Sequence, residues 1–402
     1  MKKVPKLRFK EFVDEWEEKK LVEISNIFSG LTPLRSNEKY YINATIPWIK
    51  TTDLNNSYIK KTEEKLNKIV FKETSIKLLP KNTLLIAMYG GFNQIGRTGL
   101  TTLESTTNQA LSAIIFKDKN LNSYFFLNFF NYKVNYWKKV SASSRKDPNI
   151  TKKDIENFKV IYPKVEEQKK IADFLSSVDV KINLTENKLE LLKEYKKGIM
   201  QKIFSQKLRF KDKEGKNYPN WKCKKVGELL IESKDLPQKQ NLEKRITVKL
   251  NLKGIEKRKV TSEEKEGATT NYLRKEGQFI YGKQNFHKGA FGIIPKELDG
   301  YQSSSDIPSF NFVEDSTIGK YFYYYFSQKN VYENLENIAT GTGSKRIQPK
   351  VFFNVKLDMP CLEEQQKIAD FLSSIDTKIE KISDELENLK EFKKGLLQQM
   401  FI

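Results

Sequence analysis

One stretch of this 402-residue chain is written twice. Pro163–Phe204 reads PKVEEQKKIADFLSSVDVKINLTENKLELLKEYKKGIMQKIF, and Pro360–Phe401 reads PCLEEQQKIADFLSSIDTKIEKISDELENLKEFKKGLLQQMF. The match is gapless at a spacing of 197 residues, with 25 of 42 positions identical. That period far exceeds the roughly 20–50 residues of solenoid repeats. A whole module of domain plus helix is therefore duplicated. Duplication of this kind predicts approximate twofold symmetry within one chain, suited to a partner with two similar ends.

Each copy opens on a proline and acidic residues, which stop the preceding element and complement a helix dipole. Apolar residues then recur at spacings of three and four: Ile171, Phe174, Val178, Ile182, Leu189, Leu192 and Ile199 in the first copy. The second copy has Ile368, Phe371, Ile375, Ile379, Ile382, Leu386, Leu389, Leu396 and Met400. This pattern predicts two long amphipathic helices. Neither can bury its stripe alone, so the two are expected to pack on each other as a coiled-coil-like pair. Gly198 and Gly395 follow basic residues and resemble helix ends, yet apolar residues follow them, leaving the terminus open.

Four segments result: globular regions at 1–162 and 206–359, a central helix at 163–205 and a C-terminal helix at 360–402. The globular regions begin alike. Lys6–Lys10 (KLRFK) matches Lys207–Lys211 (KLRFK), and Trp16 matches Trp221. Their interiors diverge, with IPWIKTTDL and LLIAMYGGFNQIGRTG in the first against RITVKLNLKGI and QFIYGKQNFHKGAFGIIP in the second. Both alternate β-favouring residues with Gly and Asn turns, which predicts short strands. Aromatic helices are expected over Tyr124–Trp137 and Lys320–Tyr332. The fold class expected is α/β (α+β), with two globular domains separated by two long packed helices. Similar frames around dissimilar interiors suit one assembly geometry carrying two different ligand surfaces.

Lys and Arg number 72 against 51 Asp and Glu, a net charge of +21. That excess is the footprint of a polyanion binder. Two cysteines in unrelated contexts support neither a disulfide framework nor a zinc site, and a single histidine, His287, excludes His-based metal or triad chemistry. No apolar run approaches membrane-spanning length. A soluble, cytoplasmic protein is expected.

The paired helices, the LRF-to-Trp opening of each half and the segment before each helix resemble the specificity subunit of type I restriction-modification systems. That last segment runs from Ser143-Ser144-Arg145 to Ile150-Thr151 in the first half and from Gly341-Thr342-Gly343-Ser344-Lys345-Arg346 to Ile347 in the second. The resemblance spans the whole chain in order. It implies two target recognition domains, each reading half of a bipartite DNA sequence, and antiparallel helices that set the spacer. It also implies that the helices dock two methyltransferase subunits, and through them restriction subunits. S-adenosylmethionine, ATP and Mg would then be bound by those partners, with no cofactor or metal on this chain. As a ruler, about 38 helical residues span roughly 57 Å, or at most about 17 base pairs. A non-catalytic scaffold, whose coiled-coil helix pair binds protein partners and whose domains bind RNA or protein, is the alternative reading.

No catalytic residue is assigned. Asp147-Pro148-Asn149-Ile150 lacks the second proline and the aromatic of an amino-methyltransferase motif and reads as a turn into a helix. Gly341-Thr342-Gly343-Ser344 is not a Walker loop. Candidate DNA contacts are loop residues. Asn93, Gln94 and Arg97 in the first domain, and Lys283, Gln284, Asn285 and Lys288 in the second, combine the amide and cationic groups that read base edges. Ser143, Ser144, Arg145 and Lys146, mirrored by Thr342, Ser344, Lys345 and Arg346, are assigned to phosphate positioning. His287 is expected at the solvent surface. The residues assigned to partner-binding helices are Ile171, Phe174, Val178, Ile182, Leu189, Ile368, Phe371, Ile375, Ile379 and Leu386.

Overall fold

The computed structural model describes residues 3–142, 149–260, 269–341 and 345–402. Contacts divide the chain into two compact units, Met1–Glu186 with Asp384–Ile402, and Asn187–Ser383. The division cuts through the middle of both long helices rather than at their ends. Each unit thus combines one globular region with half of the central helix and half of the C-terminal helix.

In the first unit a five-stranded sheet runs in the order Ser25–Ser29, Leu111–Phe116, Leu84–Ala87, Thr98–Thr101, Tyr58–Ile59. All neighbours are antiparallel except the last pair. A smaller sheet of Glu64–Leu66, Ile46–Ile49 and Thr106–Thr107 buries Trp48 against Tyr40, Leu66, Val70 and Ile76. Asn122 starts the helix Ser123–Tyr132 by accepting from the amides of Tyr124 and Phe125. This helix buries Phe125, Phe126, Phe129 and Phe130 completely. The expected helix over Tyr124–Trp137 is in fact two, since the chain breaks at Lys133 before Val134–Ala142. The break lets Trp137 stack on Phe130 and close on Phe158, with ring centroids 5.8 and 4.4 Å away.

The second unit has a four-stranded antiparallel sheet ordered Leu230–Ser233, Ser309–Phe312, Phe279–Tyr281, Phe291–Ile293. Two two-stranded hairpin-like pairs flank it, Ile246–Val248 with Ile255–Lys257 and Asn271–Leu273 with Gln302–Ser304. Its core is aromatic: Phe279, Tyr281, Phe286, Phe291, Phe310, Phe322, Phe326 and Phe352 are all fully buried. The aromatic helix again splits, into Gly319–Phe326 and Lys329–Asn334.

Beneath the different interiors the frames repeat. A short antiparallel pair closes each globular region, Glu17–Lys20 on Lys159–Tyr162 and Lys222–Lys225 on Lys356–Met359. In the first unit Arg8 forks onto Glu167 with two 2.7 Å bonds, and the Trp16 indole donates to the same carboxylate. In the second, Arg209 and Trp221 do the same to Glu364. Gln168 accepts from the Asn122 amide and Gln365 from the Ile318 amide, so each long helix holds the start of an aromatic helix.

The long helices run unbroken over Val165–Phe204 and Leu362–Met400. Gly198 and Gly395 lie inside them with open space where a side chain would be. Ile171, Leu175, Val178, Ile182, Thr185 and Leu189 are buried, as are Ile368, Leu372, Ile375, Ile382 and Leu386. This four-three alternation is a heptad seam. Leu175 and Leu372 occupy the places expected for Phe174 and Phe371. Those two rings sit beside the seam, edge-on to Phe9 and Phe210. The reason is geometric: a seam that advances 3.5 residues per turn takes positions 171, 175 and 178, and residue 174 falls off it. Contacts between the helices are antiparallel within each unit. Lys393 meets Asp179 and Lys390 meets Glu186 in the first, and Lys196 meets Asp376 in the second.

Candidate nucleic-acid interface

The candidate base-edge residues lie on one hairpin in each unit. In the first, strands Leu84–Ala87 and Thr98–Thr101 are joined by residues 88–97. The Ala87 amide donates to the Arg97 carbonyl and the Gly96 amide to the Ala87 carbonyl, which pins the loop base. Gly96 has φ +75°, and a Cβ there would stand 2.9 Å from Trp137 Cβ, so only glycine fits. The loop holds Asn93 exposed, with Gln94 and Arg97 half-buried. Arg97 Nη1 donates to Gln94 Oε1 at 2.9 Å, which orients the guanidinium and amide as one unit. Phe92 projects from the same loop, 51% exposed, with the Lys138 ammonium 5.2 Å from its ring centre.

In the second unit the equivalent strands Phe279–Tyr281 and Phe291–Ile293 flank residues 282–290. The Ile150 amide bonds the Met88 carbonyl, and the Ile347 amide bonds the Lys283 carbonyl, both at 2.8 Å. Equivalent anchors thus tie each loop to the segment before its long helix. Gln284 and Lys288 are exposed, and Lys283 and Asn285 half-buried. His287 is not at the surface. It is 8% exposed in a single 3-10 turn, Phe286–Lys288, beside the helix Lys329–Asn334, and burial lowers its pKa. The aromatic turn preceding it folds inward and carries the imidazole along.

Lys345 and Arg346 are described, whereas Ser143, Ser144, Arg145, Lys146, Thr342 and Ser344 lie outside the described residues. Lys345 Nζ is 3.0 Å from Glu336, and Arg346 Nη1 is 2.9 Å from Asp306 Oδ1. Lys283, Gln284, Asn285 and Arg346 line one cleft of about 150 Å³ together with Thr247 and Asp306. The structure therefore brings the described second-unit candidates together, apart from Lys288 and Lys345, which do not line it. Amides and a guanidinium at such a cleft can read base edges, and surrounding lysines can meet phosphates.

Two contributors were invisible in the sequence. Asp306 comes from a separate turn, 16 residues past the end of the 282–290 loop it faces. Arg274 is 1% exposed, and among the described residues its guanidinium donates to neutral oxygens: Ser303 Oγ, Ser309 Oγ and the carbonyls of Ser233, Ser303, Ser304 and Ile307. Burial lowers its pKa to about 10, against the opposing pull of Glu232 and Asp235. The side chain staples the 303–309 segment that presents Asp306.

The residues assigned to the partner-binding helices lie in or beside the seam of the helix pair, as the stripe pattern predicts. Ile171, Val178, Ile182, Leu189, Ile368, Ile375 and Leu386 are buried within the chain, and Phe174, Phe371 and Ile379 are half-buried. They are consumed by packing inside each unit, because a heptad seam satisfies itself. Among the described residues no helix is long and apolar enough to cross a membrane.

The chain matches the family described as type I restriction modification DNA specificity domain twice, over residues 13–194 and 218–391, and belongs to it. It is 25% identical over 410 residues to the type I restriction enzyme MjaVIII specificity subunit of Methanocaldococcus jannaschii, covering 96% of this chain and 91% of that one. The MjaIX specificity subunit of the same organism is 28% identical over 239 residues, 56% of this chain and about half (54%) of that relative. In fold, the crystal structure of a type I restriction-modification S subunit from M. genitalium superposes with a TM-score of 0.62 at 13% identity, covering 99% of both chains. Specificity subunits are non-catalytic components of restriction-modification systems.

Proposed function

We propose that each globular region reads one half of a bipartite DNA target and that the helix pair fixes the unspecified gap between the halves. The helices would also dock two methyltransferase subunits, and through them restriction subunits. Those partners would hold S-adenosylmethionine, ATP and Mg and perform the chemistry in the cytoplasm. The observation that carries this reading is the contrast between frame and loop. The frame contacts Arg8–Glu167–Trp16 and Arg209–Glu364–Trp221 repeat residue for residue. The hairpins at 88–97 and 282–290 spring from equivalent strands yet carry their amide and cationic groups in a different order, Asn93, Gln94 and Arg97 against Lys283, Gln284, Asn285 and Lys288. One geometry presenting two different surfaces is what a split, non-palindromic target requires. The helices, 40 and 39 residues long, span about 60 Å each, the scale of one to two DNA turns.

Adenine-methylation mapping of the host genome, with the coding sequence present and deleted, tests the reading. Loss of a single split motif, two short blocks around a fixed gap, is the expected result. An unchanged methylome in cells that express the partner methyltransferase would overturn it.

A further inference from the structure

The second unit carries a carboxylate where a DNA-binding surface has reason to avoid one. Asp306 lines the 150 Å³ cleft among Lys283, Gln284, Asn285 and Arg346. Its side chain is 56% exposed in a chain of net charge +21. Beside phosphates a free carboxylate is repulsive, so its presence calls for a specific partner. Arg346 neutralises it on one side only: Nη1 meets Oδ1 at 2.9 Å, and no hydrogen bond among the described residues reaches Oδ2.

The backbone under Asp306 is unusually fixed. Arg274 donates to the carbonyls of Ser303 and Ile307 and to Ser303 Oγ, which itself donates to the Ile307 carbonyl. The Lys283 amide donates to the Asp306 carbonyl at 2.9 Å, locking the turn to the reading loop. A surface salt bridge alone contributes little and needs no such support. A rigidly aimed acceptor does.

We infer that Asp306 is a specificity-determining residue: its carboxylate accepts a hydrogen bond from the exocyclic amino group of a cytosine in the half-site read by the second unit. Carboxylates pair with the cytosine amino group, whereas adenine is met by amides and guanine by arginine. Arg274 is the positioning residue behind it, and Arg346 orients the carboxylate through its 2.9 Å contact to Oδ1. The inference rests on DNA reading by this unit.

The test uses the full chain with its methyltransferase partner and a pool of randomised duplexes. Wild-type protein is expected to enrich a split motif with a fixed cytosine in one block. Replacing that cytosine by pyrimidin-2-one, which lacks only the amino group, should weaken wild-type binding about tenfold. The same replacement should leave Asp306→Ala, which removes the acceptor at a 56%-exposed position, within about twofold. The other block should be unaffected in both proteins. Equal losses in wild type and Asp306→Ala at every cytosine of the motif, or uniform weakening of all sequences by Asp306→Ala, would overturn the assignment. Failure of the wild type to enrich any motif would instead overturn DNA reading itself.

Discussion

Asp179 and Asp376 stand at the same place in the two helix copies, and each collects a lysine from the other helix and a tyrosine from its own unit's aromatic helix. Lys393 and the Tyr124 hydroxyl reach Asp179, and Lys196 and the Tyr324 hydroxyl reach Asp376. Burial beside the carboxylate raises the pKa of both phenols, so they remain donors at any working pH. The tyrosines begin from different turns of their helices, Tyr124 two residues past Asn122 and Tyr324 six past Ile318. A shift of one helical turn keeps both on the same face. Asp179→Asn and Asp376→Asn should each cost about 2 kcal/mol in urea unfolding, since the partners stay part-buried without a charged acceptor. A smaller tuning device is Glu64, which Arg35, and then Lys50, hold down to a pKa of about 2. A carboxylate depressed on folding stabilises above its unfolded value near 4.5, and that contribution disappears as pH falls toward 2. Glu64→Gln should therefore be less stable than wild type at pH 7 by no more than about 2 kcal/mol, allowing for solvent screening at a 29%-exposed side chain. The gap should close between pH 4.5 and 2, and a gap that persisted at pH 2 would rule out the charge as its source.

At the scale of elements, the long helices show what periodicity can and cannot tell. Their existence and pairing follow from apolar spacing, because a stripe that long has no other way to be buried. The exact seam was missed by one residue at Phe174 and Phe371. Spacing of three then four fits Phe174 and Phe371, while the seam's four-then-three order gives the buried place to Leu175 and Leu372. Gly198 and Gly395 left the helix ends open in sequence, and the helices in fact pass through both. Each glycine has open space at its Cβ position and so has no packing reason to be there. Gly198→Ala and Gly395→Ala should each raise stability by about 1 kcal/mol, seen as a shifted unfolding midpoint at unchanged cooperativity. The two candidate loops are legible in sequence as Gly-flanked segments rich in amide and cationic groups. Their support is not: Asp306 reaches the cleft by tertiary contact with Arg274 fixing its turn from behind, and no local pattern marks an arginine buried among neutral oxygens. His287 was misplaced for the same reason, since its burial depends on the packing of Phe286 and on a helix more than 40 residues away.

For the molecule as a whole, sequence order and structural order differ, and the C-terminal helix shows it most sharply. Phe401 is 3% exposed, and its ring lies 5.3 Å from Phe125, 5.9 Å from Phe129 and 6.4 Å from Trp16, all in the first unit. Its counterpart at the end of the central helix, Phe204, packs on Tyr321 and Tyr325 in the second unit, at 5.7 and 5.6 Å. The end of each long helix thus packs into the globular core of its own unit, Phe401 in the first and Phe204 in the second. Phe401→Ala removes a buried aromatic and should cost about 3–5 kcal/mol. The loss should fall on the first unit, nearly 300 residues away in sequence. Hydrogen exchange on the intact chain should then show protection lost across Leu111–Phe116 and Ser123–Tyr132, while Phe279–Tyr281 and Gly319–Phe326 keep theirs. Phe204→Ala should give the reverse pattern. If either variant loosened the unit nearest to it in sequence instead, the exchange of helix halves between the units would be wrong.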